Sequence, residues 1–279
     1  MTDNGGRPDG RPPTSPDRQP ILQLRGISKR FGAVEALSKV DFEVYPGEVV
    51  ALVGDNGAGK STLIKTMAGI YIPDEGEIWF EGKHVAVHGP RDSAALGIAT
   101  VYQDLALSDN LDVVANLYLG REEISPQHLL SEERMEQRAR EVLKSLDVKI
   151  PNPRNAVAAL SGGQRQSVAV ARSVMWKAKV VLLDEPTAAL GVQQTKQVLE
   201  LVLRLKNQGL GVIVISHNLA NVFEVADRII VLRLGRRVGS FVRAESSEQD
   251  VVAAITGAEF GKFQPSSQPK PQPETQPEA

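Results

Sequence analysis

The sequence predicts an α/β fold: a core on a parallel sheet, an antiparallel β subdomain ahead of it, and an α-helical subdomain inserted into it. Three observations carry that expectation. Residues Ile21 to Val87 read as strands and turns, and from about Asp104 to Ala178 apolar residues recur at helical spacing. Beyond them, "VVLLDE" (Val180 to Glu185) and "GVIVIS" (Gly211 to Ser216) are short continuous apolar runs, separated by a helical stretch around Gln193 to Asn207. Such runs belong to parallel strands covered on both faces, whereas half-exposed strands alternate.

In the first third, "VDFEVY" alternates, Pro46-Gly47 supplies a turn, "EVVALVG" is a buried strand, and "EIWFEGKHVAV" reads as a hairpin around Glu81-Gly82. One helix is expected directly after Gly59. In the middle third, Met135, Ala139, Val142, Leu143 and Leu146 share one helical face, and Glu132 and Glu133 fall in a first turn, where the helix dipole favours acids. No internal repeat is visible, so a single copy of the unit is expected. Met1 to Pro20 is rich in Gly, Pro, Asp and Arg, and Gln264 to Ala279 in Pro and Gln. Such segments cannot bury enough apolar surface to offset chain entropy, so both ends (1–20 and 264–279) are expected to be disordered tails around a folded unit at 21–263.

The 279 residues, 42% of them hydrophobic, suffice for a sizeable core. A net charge of -2 and a pI near 6.1 give no footing for nucleic acid as a partner. The absence of cysteine excludes disulfides, zinc–thiolate sites and cysteine nucleophiles. The N-terminal stretch lacks the apolar core of a signal peptide, and no apolar run approaches the roughly 20 residues of a membrane-spanning helix. The chain is therefore expected in the cytosol, with any membrane role exercised through a partner.

"GDNGAGKST", comprising Gly54, Asp55, Asn56, Gly57, Ala58, Gly59, Lys60, Ser61 and Thr62, matches the P-loop pattern and follows a buried strand while opening a helix. Its glycines let backbone N–H groups turn toward phosphate oxygens, Lys60 reaches the terminal phosphates, and the Ser61 hydroxyl can ligate magnesium. An ordinary glycine-rich turn would need neither the strand before it nor the helix after it. ATP and Mg²⁺ are thus the expected ligands. In "VVLLDEP", Asp184 ends a buried strand, where open α/β sheets place their ligands, and would hold magnesium mostly through water. Glu185 beside it can polarise an attacking water. Alone, the pair could be merely an acidic strand end before Pro186.

"LSGGQRQ" (Leu160 to Gln166) raises a separate question. Ser161 and Gln164 form a capping-box pattern, which is the plain reading of a helix start. Capping leaves Gly162 and Gly163 unexplained: they cost helix propensity yet expose bare N–H groups on a positive helix end, a second anion site. Two copies arranged head to tail could each offer Ser161 to Gln164 to the γ-phosphate in the other's P-loop.

Together, "GDNGAGKST", "VYQD", "LSGGQ", "VVLLDEP" and "ISHN" occur in the order and spacing of the ATP-binding cassette (ABC) ATPases, and over 21–263 the chain resembles that family. The resemblance implies a P-loop NTPase of the ABC ATPase type acting as a nucleotide-sandwich homodimer. Phe31 resembles the aromatic that stacks on adenine, the alternative being a core phenylalanine. Gln103 resembles the glutamine that senses magnesium and the γ-phosphate, Glu185 the general base, and His217 the switch histidine on the γ-phosphate. Where the family often has an aspartate after "DEPTAAL", this chain has Gly191, which puts the usual link between the two ATP sites in doubt. His84, His88 and His128 lack such context and are expected on the surface, and the charged stretch Arg121 to Glu141 reads as a solvated helix face.

The finer text, "VYQDLALSDNLDVVANLYLGRE" and "DEPTAALGVQQT" included, resembles ATP-binding subunits of bacterial sugar importers of the ribose, xylose and fructose type. This implies a separate integral membrane permease, an extracytoplasmic sugar-binding protein, and a place on the cytoplasmic face of the inner membrane. Two other readings stand beside it: a soluble cassette ATPase of DNA repair or translation, which would carry a second cassette, coiled coils or basic patches, and a regulatory module without turnover, against which Glu185 and His217 count.

Overall fold

The computed structural model describes residues 19–125 and 128–258. The tails expected at the two ends fall outside these residues, apart from positions 19 and 20. The chain opens with β1 (Leu22–Phe31), β2 (Val34–Val44) and β3 (Val49–Val53), then α1 (Lys60–Met67), β4 (Glu75–Phe80), β5 (Lys83–Val85), α2 (Pro90–Leu96) and β6 (Ile98–Val101). Four helical and strand segments follow: α3 (Val113–Tyr118), α4 (Glu132–Ser145), α5 (Gly162–Met175) and β7 (Val180–Asp184). The chain closes with α6 (Val192–Asn207), β8 (Gly211–Ile215), α7 (Leu219–Val225), β9 (Arg228–Arg233), β10 (Arg236–Val242) and α8 (Glu248–Thr256).

The strands form two sheets. An antiparallel sheet has the order β2-β1-β4-β5, and a six-stranded sheet the order β10-β9-β3-β8-β7-β6, parallel except for the β10 edge. The hairpin expected at Glu81-Gly82 is there, with Trp79 opposite His84. Alternation then decides what each face covers. From the large sheet, Val50, Leu52, Leu182, Ile213, Ile215, Ile230 and Leu232 pack with Leu63, Ile64 and Met67 of α1 against Leu22, Leu24, Phe42, Val44, Ile78 and Phe80 of the small one. The opposite face, with Val181, Leu183, Val212 and Val214, packs on α5 and α6, while Ala51, Val53, Ile229 and Val231 pack on α7 and α8. Every apolar residue of β3, β7 and β8 is buried, which is why those segments read as continuous runs.

The helical insertion does not pack on itself alone. Met135, Ala139, Leu143 and Leu146 bury one face of α4 as the spacing predicts, but they belong to the same apolar cluster as Val181, Leu183, Val212 and Val214. The insertion therefore shares its core with the sheet, and α5 is the element common to both. The segments 104–112 and 146–156 are irregular; the Ala158 N–H donates to the Asp109 carbonyl at 3.0 Å and the Val157 N–H to the Leu111 carbonyl at 2.9 Å, and side chains add further ties. Buried Asn116 accepts from Ser108 N (2.7 Å) and donates to the carbonyls of Ser108 (3.0 Å) and Asp112 (2.9 Å), and Arg172 of α5 donates to the carbonyls of Leu105 and Ala106 at 3.0 and 2.9 Å.

A buried ion cluster joins the two sheets at the end remote from the P-loop. The side chain of Arg228, only 2% exposed, lies 3.0 Å from Glu48 Oε1, and its Nη2 donates to the Glu43 carbonyl at 2.8 Å. Glu48 in turn accepts from the backbone N–H of Tyr45 at 2.9 Å. This ties the first residue of β9 to the turn before β3.

Candidate nucleotide site

β3, β8, β7 and β6 are consecutive neighbours in the parallel part of the large sheet, and each sends its carboxyl end into one of the motifs singled out above. The P-loop follows β3, Ser216 and His217 follow β8, Asp184 and Glu185 close β7, and Gln103 follows β6. Four separated stretches are thereby brought to one edge by strand order alone.

A single cleft at that edge is lined by Asn56, Gly57, Ala58, Gly59, Lys60, Ser61, Thr62, Gln103, Asp184, Glu185 and His217. Gly54 and Asp55 stand behind it, their carbonyls accepting from Lys60 Nζ at 2.6 and 2.9 Å. Gly59, at φ 101, caps α1, so the N–H groups of Lys60, Ser61 and Thr62 have no partner within the helix and point toward the cleft end. Two further contacts brace the loop: the Gly235 N–H donates to the Ala58 carbonyl at 3.1 Å, and the Ser38 N–H to the Gly235 carbonyl at 2.8 Å.

Charge in the cleft is poised between opposing effects. Partial burial lowers the Lys60 pKa, while Glu185, Asp55 and Asp184 push it back up. Burial raises the Asp184 carboxyl, the neighbouring Glu185 raises it further, and Lys65 and Lys60 only partly offset this. Asp184 thus holds a charge the fold disfavours until cations arrive. Glu185 sits at φ 49, in the left-handed region, and its Oε2 is buried and accepts no hydrogen bond although His217 Nδ1 stands 2.9 Å away. Its backbone N–H is fixed by the carbonyl of Ile215 at 3.0 Å. A buried acceptor without a donor at the mouth of a cleft fits a water molecule delivered from that cleft.

The oxygen donors present suit a hard divalent cation: the Ser61 hydroxyl, the Gln103 amide and the Asp184 carboxylate share the cleft. Among the described residues no cluster of three or more His, Cys, Asp or Glu could hold a metal on its own, so phosphate oxygens would complete the shell. The chemistry of the donor set therefore fits Mg²⁺ carried with a polyphosphate.

Two groups of expected residues are not in this cleft. Phe31 is 42% exposed, with its ring edge-on to Tyr71 at 5.0 Å between centroids, so it is not a core phenylalanine; it pairs in register with Val34, which does line the cleft. Ser161, Gly162, Gly163 and Gln164 open α5 elsewhere. There the capping box forms, the Gln164 N–H donating to Ser161 Oγ (3.3 Å) and the Ser161 N–H to Gln164 Oε1 (3.0 Å). Their glycines also have a packing reason that spacing did not disclose: a Cβ on Gly162 would stand 3.0 Å from Leu190 Cδ2, and one on Gly163 3.1 Å from Gln194 Cβ. His84, His88 and His128 are exposed as expected. Sequence reasoning passed over Val34, Ala188, Ile215 and Leu234, which also line the cleft, and only the strand-end position of Ile215 could have flagged any of them.

Residues 37–188 match a family model described as ABC transporter. The chain is 49% identical over 249 residues to the fructose import ATP-binding protein FrcA of Rhizobium meliloti, covering 87% of this chain and 96% of that protein. It is 47% identical over 242 residues to the xylose/arabinose import ATP-binding protein XylG of Sulfolobus acidocaldarius, with 87% and 96% covered. Among solved structures, the dimeric structure of MJ0796, a bacterial ABC transporter cassette, is similar with a TM-score of 0.68 and 26% identity, covering 80% of this chain and 99% of that one.

Proposed function

This chain belongs to the ABC transporter family as an ATP-binding cassette, an ATPase, and on that premise we propose that it powers uptake of a monosaccharide through a separate membrane permease. The observation that carries the chemistry is the convergence of four strand-end loops on one cleft, with a buried Glu185 Oε2 that accepts no hydrogen bond and stands 2.9 Å from His217 Nδ1. The substrate class follows from likeness: two relatives that this chain matches almost end to end are named for import of fructose and of xylose or arabinose.

The γ-phosphate of ATP is received by the N–H groups at the start of α1 and by Lys60, with Gly54 to Thr62 wrapping the β-phosphate. Mg²⁺, held by Ser61, Gln103 and Asp184, would neutralise charge across the β- and γ-phosphates. Glu185 accepts a proton from the attacking water, whose oxygen bonds to the γ-phosphorus as the bond to the bridging oxygen breaks and ADP leaves. His217, 2.9 Å from Glu185, orients that water and contacts the γ-phosphate. Phe31 is assigned to the adenine ring; its exposure leaves a face available for stacking.

Ser161 to Gln164 lie outside the cleft of their own chain, which supports a head-to-tail homodimer in which they close on the partner's nucleotide. A similar cassette is dimeric. Among the described residues no helix is long and apolar enough to cross a membrane. Likeness to import subunits assigns the passage to a separate permease, with an extracytoplasmic sugar-binding protein delivering substrate and this subunit on the cytoplasmic face. The docking surface is assigned to the groove next to Gln103, lined by Thr100, Tyr102, Leu119, Arg121, Arg172 and Trp176 between α2, α3 and α5.

The experiment has two arms. Steady-state ATPase of the wild type should exceed that of Glu185→Gln by at least about 100-fold, and equal rates would remove Glu185 from its role. Glu185→Gln, extracted from its own membranes with ATP present, should bring down a multispanning permease; recovery of ribosomes or DNA instead would end the transport reading and leave the ATPase chemistry intact.

A further inference from the structure

The first turn of α5 and the first turn of α6 lie against each other, and one side chain joins them. Gln194, the third residue of α6, accepts through Oε1 from the backbone N–H of Gly191 at 3.2 Å. Gly191 has no side chain with which to cap its own helix, so this bond is the cap that the side chains of α6 supply. The stem of the same residue lies on the Ser161–Gln164 turn: a Cβ on Gly163 would be 3.1 Å from Gln194 Cβ and 3.3 Å from its Cγ, and one on Gly162 would be 3.8 Å from Gln194 Oε1. One amide and its methylene stem therefore touch the end of the loop that begins at Glu185 and the turn that begins at Ser161.

That loop is short and braced along its length. The Ala188 N–H donates to the Glu185 carbonyl (3.1 Å), the Leu190 N–H to the Thr187 carbonyl (3.4 Å), and Asn221 Nδ2 to Thr187 Oγ1 (3.2 Å). Ala189 takes φ 58. A chain of turns held this way moves as a piece, so a shift at Glu185 arrives at Gly191 with little slack.

We propose that Gln194 is a positioning residue that locks the Ser161–Gln164 turn to the Glu185 loop of its own subunit, so that the state of one ATP site sets the geometry each subunit offers to the other. The inference rests on the head-to-tail dimer reading. Two substitutions test it: Gln194→Ala keeps Cβ but removes Cγ and the acceptor, and Gln194→Glu keeps stem and acceptor and places a favourable charge in a first helical turn.

The test uses the full chain carrying Glu185→Gln, which should accumulate the ATP-bound dimer. Sedimentation velocity across an ATP titration gives the concentration at half-dimerisation, and a fluorescent ATP analogue on dilute protein gives the affinity of the monomer. In that background Gln194→Ala should raise the half-dimerisation concentration about tenfold while leaving monomer affinity within about twofold, since the P-loop does not touch Gln194. Gln194→Glu should match the parent. With Glu185 restored, Gln194→Ala should bring the Hill coefficient for ATP hydrolysis down toward 1. If Gln194→Ala dimerises at the parent's midpoint, the inference falls and the dimer stands. A fall in monomer affinity in step with dimerisation also overturns it, because Gln194 would then merely support the fold. A parent that stays monomeric at saturating ATP overturns both readings together.

Discussion

Gly54→Ala tests how tightly the phosphate cradle is built. A Cβ on Gly54 would lie 2.1 Å from the backbone carbonyl oxygen of Leu232 and 3.1 Å from Ala58 Cβ, in a residue at φ 148. A carbon needs roughly 3.3 Å from a carbonyl oxygen, so loop and β9 must part by about 1 Å. β9 is paired on both sides, with β3 and β10, so the loop is what gives. A displacement of about 1 Å at a reacting centre costs about 100-fold in turnover, which is about 2.7 kcal/mol of transition-state stabilisation. Gly26→Ala is the control: at φ 60, with nothing within 4 Å of its Cβ, it suffers the backbone strain without the collision. Both variants should lose about 1–2 kcal/mol of folding stability, a drop of about 2–8 °C in Tm, but only Gly54→Ala should lose ATPase activity. Steady-state hydrolysis and thermal melts decide it. A Gly54→Ala enzyme turning over within about threefold of wild type would refute the reasoning.

Other outcomes follow from the same geometry. Glu48→Ala strands the buried Arg228 with Glu43 alone and should cost about 3–5 kcal/mol by denaturant melts, while Glu48→Ala combined with Arg228→Met should recover most of it. Asp184→Asn should abolish hydrolysis yet stabilise the nucleotide-free protein. Its carboxyl pKa is raised in the fold, so the native state binds more protons than the unfolded one and stability falls as pH climbs through that raised value; melts between about pH 4 and 8 should show a shallower decline in the variant. Gly163→Ala pushes a methyl against the Gln194 stem and should weaken ATP-driven dimerisation without changing monomer affinity, read on the Glu185→Gln background.

The sequence exposed those parts of the molecule whose chemistry is local. β3, β7 and β8 could be read because both their faces are buried, and the P-loop because strand, glycines and helix are contiguous. The Glu81-Gly82 turn was equally legible. β9 is as apolar as β7, yet nothing in its text says that its Leu232 carbonyl will press on Gly54 across nearly 180 residues of chain. The glycines of "LSGGQ" show the same gap more sharply: backbone donors explain them from sequence, and only the packing of Leu190 and Gln194 shows that a side chain at either position would crowd its neighbour. Sharing of one core between the helical insertion and the sheet was hidden for a related reason, since periodicity tells which face of α4 is apolar and not what it meets. Phe31 was open between stacking and core packing, and exposure excluded the core while leaving its ligand a proposal.

The backbone bonds that run from Ser38 through Gly235 to Ala58 have a mechanical meaning. They nail the cradle to both sheets at once, so it serves as the stator of the machine: a frame that can push on phosphate without recoiling. The rotor must then be sought outside the sheets, in the stretch from Gln103 to Asp112 that hangs in part on the side chains of Asn116 and Arg172. Work drawn from ATP would leave the protein through that hanger, and stiffening it should stall the stroke while leaving the fuel bound.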